Sequence, residues 1–201
     1  MPSNDPGPDH RRRLLQAMGS MAAGKGLAAV TIADVVREAG VSKRTFYEHF
    51  GTKEDCFLAL YRAVSASALN TLKSAVSVDR PWHQQLQEAL RAYLAHMATS
   101  PELLRTLFVE VQHLGTDGAQ ARRAVMTELA EFMVATLARG ERPVGLPGID
   151  FPLALAAVGG INELILQAVE QGRAAELPEM TTTASEVVLR LARPSSPEHP
   201  T

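Results

Sequence analysis

The segment from Thr31 to Phe50, TIADVVREAGVSKRTFYEHF, constrains the fold more than any other part of this chain. Thr31 has the chemistry of a helix N-cap, and Asp34, three residues on, is a short capping-box partner. Ile32, Val35, Val36 and Ala39 recur at helical spacing and form the buried face of a helix that must stop at Gly40. Only glycine takes a left-handed φ there at little cost, so the chain turns sharply. Ser42 caps a second short helix that runs through His49 and ends by Gly51. The small Ala33 is expected where the two helices approach closely. The segment therefore predicts two short helices joined by a tight turn.

The flanking sequence extends the helical pattern in both directions. Before it, Leu14, Leu15, Met18, Met21 and Ala22 make an apolar stripe on a helix from His10 that ends near Gly24 and Gly26. After it, Thr52 with Asp55 caps a third helix running to about Leu72, followed by a break at Asp79-Arg80-Pro81. Further helices are expected over 82–99, from Ser100-Pro101-Glu102 to near Gly115, from Gly118 to Arg139, over 151–171 and over 181–192. Ser100-Pro101-Glu102 combines a cap, a proline in the first turn and an acid near the positive end of the helix dipole. Arg139 to Asp150 reads as a loop. No alternating pattern of a strand and no internal repeat is present. The chain is expected to be all-α with about nine helices, between a disordered arm at 1–9 and a disordered tail at 194–201.

Composition narrows the function classes. One cysteine in 201 residues excludes a disulfide framework or a multi-cysteine metal site. Cys56, on an apolar face with Leu60, reads as a small buried hydrophobe. His83, His96 and His113 lack acid or cysteine partners at ligand spacing, so no metal site is expected. No serine elbow, glycine-rich phosphate loop or HExxH motif is present, so no catalytic residue and no cofactor are assigned. The charge-free run from Phe151 to Asn162 is roughly half a bilayer span, and the N-terminus MPSNDPGPDHRRR has no apolar core of a secretion signal. No membrane association is expected. The net charge of −2 conceals an asymmetry: residues 1–53 carry eight Lys and Arg against five Asp and Glu, and the rest carries −5. A basic head on an acidic body suits a phosphate-binding module attached to a second part.

Two short helices in this register are the helix-turn-helix pattern, in which the second helix lies in the major groove. With Phe46 turned inward, helical geometry puts Phe50 about 40° away and Arg44 about 160° away, with Thr45 and Tyr47 at about 100° on either side. Phe46 and Phe50 then pack on the core, while Lys43, Arg44, Thr45 and Tyr47 face outward. Arginine and lysine donate to guanine O6 and N7, and a threonine methyl meets a thymine methyl. Ser42, Tyr47, His49 and Lys53 suit phosphate oxygens. Arg11, Arg12 and Arg13 read either as phosphate or minor-groove contacts or as a solvated basic tail.

The order TIADVV, AGVSKRTFYEHF and TKED, after a helix with Leu14, Leu15, Ala17 and Gly24, resembles the TetR family of transcriptional regulators over about residues 11–60. The resemblance implies a three-helix DNA-binding domain at 10–55 (motif 31–50) and a helical body at 56–193 that dimerises and usually binds a small effector. Carried over by position, Lys43, Arg44 and Thr45 are base readers, and Thr31, Tyr47, His49 and Lys53 are phosphate contacts. Met21 and Cys56 depart from the family pattern, as does Glu48, an acid facing the DNA. The resemblance further implies a homodimer through the last two helices, double-stranded DNA with a palindromic operator as partner, and a cytoplasmic location. The implied role is a repressor released by an unidentified small molecule. The alternatives are a regulator that activates or needs a co-repressor, or a helical enzyme or interaction module. For the effector, Tyr93, Met97, Phe108, Phe132 and Met133 read either as cavity lining or as plain core, with Glu88, Glu110, His113 and Glu163 as polar candidates. The residues of the effector site stay unassigned.

Overall fold

The computed structural model describes residues 6–76, 81–139 and 148–192. Among the described residues there are nine α-helices and no strand: α1 (Pro6–Lys25), α2 (Ile32–Ala39), α3 (Lys43–His49), α4 (Lys53–Ala75), α5 (Trp82–Ala98), α6 (Pro101–His113), α7 (Gly115–Arg139), α8 (Phe151–Glu170) and α9 (Thr181–Leu191). Short 3-10 segments lie at Leu27–Ala29 and Ala174–Met180. The chain is all-α, as the periodicity predicts. The expected tail at 194–201, the break at Asp79-Arg80 and most of the 139–150 loop lie outside the described residues, as does the arm before Pro6.

Two helix starts differ from expectation. α1 begins at Pro6, ahead of His10, because proline fits the first helical turn, and Asp9 pairs with Arg12 at 2.6 Å one turn on. α7 begins at Gly115 rather than Gly118. Gly115 takes a φ of 55°, and Gly118 lies inside the first turn, where a Cβ would fall 2.0 Å from the Val111 carbonyl oxygen of α6. Gly118 therefore marks a close approach of backbones, which in sequence looks the same as a helix boundary. Ser100 makes no side-chain capping bond, so the start of α6 relies on Pro101 in its first turn.

The chain packs as two compact units, the first joining the chain up to Ser67 with Ser100–Arg122, the second joining Ala68–Thr99 with the chain from Arg123. In the first, α1 lies against α2, α3 and α6. Leu14, Met18, Val35, Phe46 and Phe57 are fully buried there, each contributing roughly 1.5–3 kcal/mol of transfer free energy. In the second, α8 packs on α9 and on the Ala174–Met180 segment, which also contact α5. Asp150 caps α8 by accepting from the Leu153 N–H at 2.9 Å.

α8 corrects the expectation for its segment. By length and composition its 20 residues suffice to cross a bilayer, because the apolar run continues past Asn162. Ala154, Ala157, Ile161, Ile165 and Ala168 are buried within the second unit, so α8 packs there as a core helix.

Candidate nucleic-acid interface

The geometry of the Thr31–Phe50 segment is set by three local devices. The first is a complete capping box: the Thr31 Oγ1 accepts from the Asp34 N–H at 3.2 Å, and the Asp34 carboxylate accepts from the Thr31 N–H at 3.1 Å. Asp34 also takes Lys25 at 2.7 Å, Arg37 at 2.8 Å and the Thr31 hydroxyl at 2.7 Å. The Lys25 ammonium first, and then Thr31, hold its carboxyl well below the usual carboxylate range. The second device is Gly40, at φ 60° and ψ 42°. Its N–H reaches Arg37 O and the N–H of Val41 reaches Val36 O, a Schellman closure of α2. Arg13 donates from Nη2 to the Gly40 carbonyl at 3.1 Å, a tie across the tight turn. The third is Ser42, whose Oγ accepts from the Thr45 N–H at 3.0 Å and lies 2.9 Å from the Thr45 hydroxyl.

These devices present one face of α3. Phe46 and Phe50 are buried, as their angular positions predict, and their rings sit 5.7 Å apart. On the other side, Lys43 is exposed and the Arg44 side chain is 90% exposed. Thr45 is half-buried, its hydroxyl held by Ser42. Tyr47 is 58% exposed, and its ring stands edge-on to that of Phe46 at 5.7 Å. His49 is half-buried with its ring 6.3 Å from that of Phe50. Glu48 has a local partner: it accepts from Arg44 Nε at 3.1 Å across one helical turn. An exposed pair of this kind is worth about 0.3–0.5 kcal/mol, so Arg44 is released to another acceptor at little cost.

Other residues stand differently from what their types suggest. The Thr31 hydroxyl proton is already donated to Asp34. Lys53 is half-buried, with Nζ 3.0, 3.1 and 2.9 Å from the carbonyl oxygens of Leu27, Ala28 and Val30. Ala33 is exposed, and the small residue buried on α2 is Ala39. The three arginines at the chain start have separate partners: Arg11 lies over the Phe50 ring at 5.6 Å, Arg12 pairs with Asp9, and Arg13 holds Gly40. Sequence reasoning missed Arg13 as a cap. It also missed Glu110 of α6, whose Oε1 accepts from the Leu27 N–H at 3.2 Å. Neither carried a local signal, because each partner lies far away along the chain.

Away from this face, Cys56 is fully buried with Sγ 4.0 Å from Leu14 O, and burial pushes its thiol up to about 12. Among the described residues no cluster of three His, Cys, Asp or Glu is placed to hold a metal ion. Tyr93, Met97, Phe108, Phe132 and Met133 are half-buried, with Met133 against the Ala130–Val158 core and Phe132 5.9 Å from Lys73 Nζ. A cleft of about 830 Å³ in the first unit, lined among others by Arg11, Arg12, Leu15, Leu60, Val64 and Leu103, includes none of these five.

A capped two-helix unit with a cationic outer face and a buried aromatic inner face has the geometry of a helix-turn-helix. Residues 14–60 match the model of the bacterial regulatory proteins of the tetR family. The nucleoid occlusion factor SlmA of Aliivibrio fischeri is 26% identical over 101 residues, covering 50% of this chain and 52% of SlmA. The chain thus spans about half the length of the curated relatives it matches. The fold is shared with the Bacillus subtilis transcriptional regulator FadR, solved in complex with stearoyl-CoA, at 15% identity and a TM-score of 0.72 over 89% of this chain and 97% of that one. The fatty acid degradation regulator FadR of Bacillus halodurans matches at 16% identity and a TM-score of 0.70, over 89% and 94%.

Proposed function

We propose that this chain is a sequence-specific, homodimeric DNA-binding transcriptional regulator of the TetR type, a repressor released from a palindromic operator by a small-molecule effector. The observation that carries the reading is the N-terminal turn of α3, which offers Lys43 and Arg44 to solvent while Phe46 and Phe50 anchor the helix from behind. Lys43, Arg44 and Thr45 read base edges; Thr31, Ser42, Tyr47 and His49 meet phosphates, with Thr31 re-pointing its hydroxyl to do so. Residues 10–55 are the DNA-binding domain, and 56–193 the regulatory and dimerising body. Dimerisation proceeds through α8 and α9, where Phe151 and Leu153 are exposed apolar side chains. One recognition helix reads few base pairs, so two reading half-sites a helical turn apart bind far more tightly. The effector binds in the body and favours the spacing of recognition helices that does not fit the operator, a population shift between two dimer states. The protein works in the cytoplasm, without catalysis and without a cofactor.

Selection of bound duplexes from a random pool tests this reading directly. The expected result is a palindrome with half-sites about one helical turn apart. Arg44→Ala is expected to lose about 1–3 kcal/mol of discrimination at one base pair per half-site, read by competition with substituted duplexes. No enrichment at low salt, or binding that does not weaken with salt, would remove DNA reading as the function.

A further inference from the structure

The strongest unexplained feature is the place of Lys53. It is the first residue of α4, and its ammonium has three N–H groups. Three carbonyl oxygens converge on it, those of Leu27, Ala28 and Val30, at 3.0, 3.1 and 2.9 Å. Every donor of the group has a partner. The carbonyls belong to the 3-10 turn that joins α1 to α2, with Leu27 and Val30 buried on either side. The next residue, Thr31, is the N-cap of α2, and α3 follows α2 through the Gly40 turn. At the other end of the turn, Glu110 of α6 accepts from the Leu27 N–H at 3.2 Å. The turn is therefore gripped on its carbonyls by the start of α4 and on its leading N–H by α6. For the Lys53 ammonium to reach a phosphate it would have to leave all three carbonyls, and the bonds to Leu27 and Val30 are part-buried while that to Ala28 is exposed, so the cost falls on the first two.

We propose that Lys53 is a positioning residue for DNA reading: its ammonium clamps the Leu27–Val30 turn that sets the start of α2, and it acts on the recognition helix through that turn rather than by touching phosphate. The proposal rests on the DNA-binding reading above. It separates two behaviours that residue type alone cannot. A phosphate contact adds affinity to every duplex equally and adds about 0.9 to the slope of log affinity against log salt. A clamp adds affinity only where base edges must be met in register, and leaves the slope alone.

The test is Lys53→Met, which keeps the aliphatic stem and removes the ammonium, measured in the full chain well below its unfolding midpoint on the selected duplex and on a scrambled one. The expected result is a ratio of specific to non-specific affinity lower by about tenfold, the size of one mismatched base pair. The salt slope should match wild type. A shallower slope with the ratio unchanged would make Lys53 a phosphate contact and overturn the proposal. Unchanged ratio and slope in the folded variant would reduce Lys53 to a purely structural role and overturn it equally. Should Lys53→Met not fold, the wild-type ammonium carries the decision through its ¹⁵N–¹H NMR signal. A clamp predicts a Lys53 Nζ signal protected from exchange without DNA and unmoved on adding the duplex; a signal absent in the free protein, or appearing only with DNA, overturns it. A wild-type chain that binds no duplex would withdraw the DNA-binding reading and, with it, the positioning role, while the free-protein signal would still show whether the clamp exists.

Discussion

Asp34 joins more partners than any other side chain at the start of α2: its own cap Thr31, Lys25 from the end of α1 and Arg37 one turn on. Those contacts favour the ionised carboxylate and keep its pKa below the ordinary 3.8. Because the folded form holds its charge to lower pH than the unfolded form, the stabilisation is present above the usual carboxylate pKa of about 3.9 and is lost as pH falls below it. Thermal unfolding of wild type and Asp34→Asn should differ by a constant amount from pH 7 down to about 5, then converge progressively below about pH 4. A gap that stays constant into strong acid would show that the charge contributes nothing. At this scale the sequence was partly legible. The Thr31, Ser42 and Thr52 caps were readable because a cap and its partner lie within four residues, and all three form. Lys53 was readable only as a cation near DNA, since its three carbonyl partners are more than twenty residues away.

At the scale of helices, glycine shows how one residue type serves opposite purposes. At Gly118 a Cβ would fall 2.0 Å from the Val111 carbonyl oxygen, a backbone atom that cannot step aside. Gly118→Ala must therefore push α6 and α7 apart and is expected to destabilise the fold by about 1–3 kcal/mol in denaturant unfolding. Gly24, near the end of α1, has no atom within 4 Å of a Cβ, and Gly24→Ala should be neutral or stabilise by up to about 1 kcal/mol. Equal effects for the two substitutions would contradict the close approach of α6 and α7. Helix spans were legible because an apolar stripe with a 3.6-residue period has few other readings. Gly115 and Gly118 were not distinguishable, since a positive φ and a tight crossing leave the same letter in the sequence.

For the whole molecule, the proposed assembly rests on α8. Leu153, Ala156 and Gly160 recur along its exposed side, and Gly160 has no atom within 4 Å of a Cβ. Gly160→Glu should therefore leave the protomer folded. If α8 forms the dimer interface, the variant buries an unpaired carboxylate there, at a cost of roughly 3 kcal/mol, or about a hundredfold in the dimer dissociation constant. Sedimentation velocity checks this. A variant that dimerises like wild type, with unchanged helix content, would place the interface elsewhere.

By itself the sequence determined that the chain is helical, where most helices start and stop, and which two carry the capped turn with a cationic outer face. Those properties rest on interactions within one or two helical turns, so they are written locally. Tertiary structure decided that Arg13 ties the Gly40 turn, that Glu110 and Lys53 grip the turn before α2, and that Gly118 is a packing residue. Each of these needs groups from separate helices brought together by burial of a shared apolar core. Hydrophobic burial is non-directional, so the pattern of apolar residues says that helices pack without saying which polar groups the packing will bring face to face.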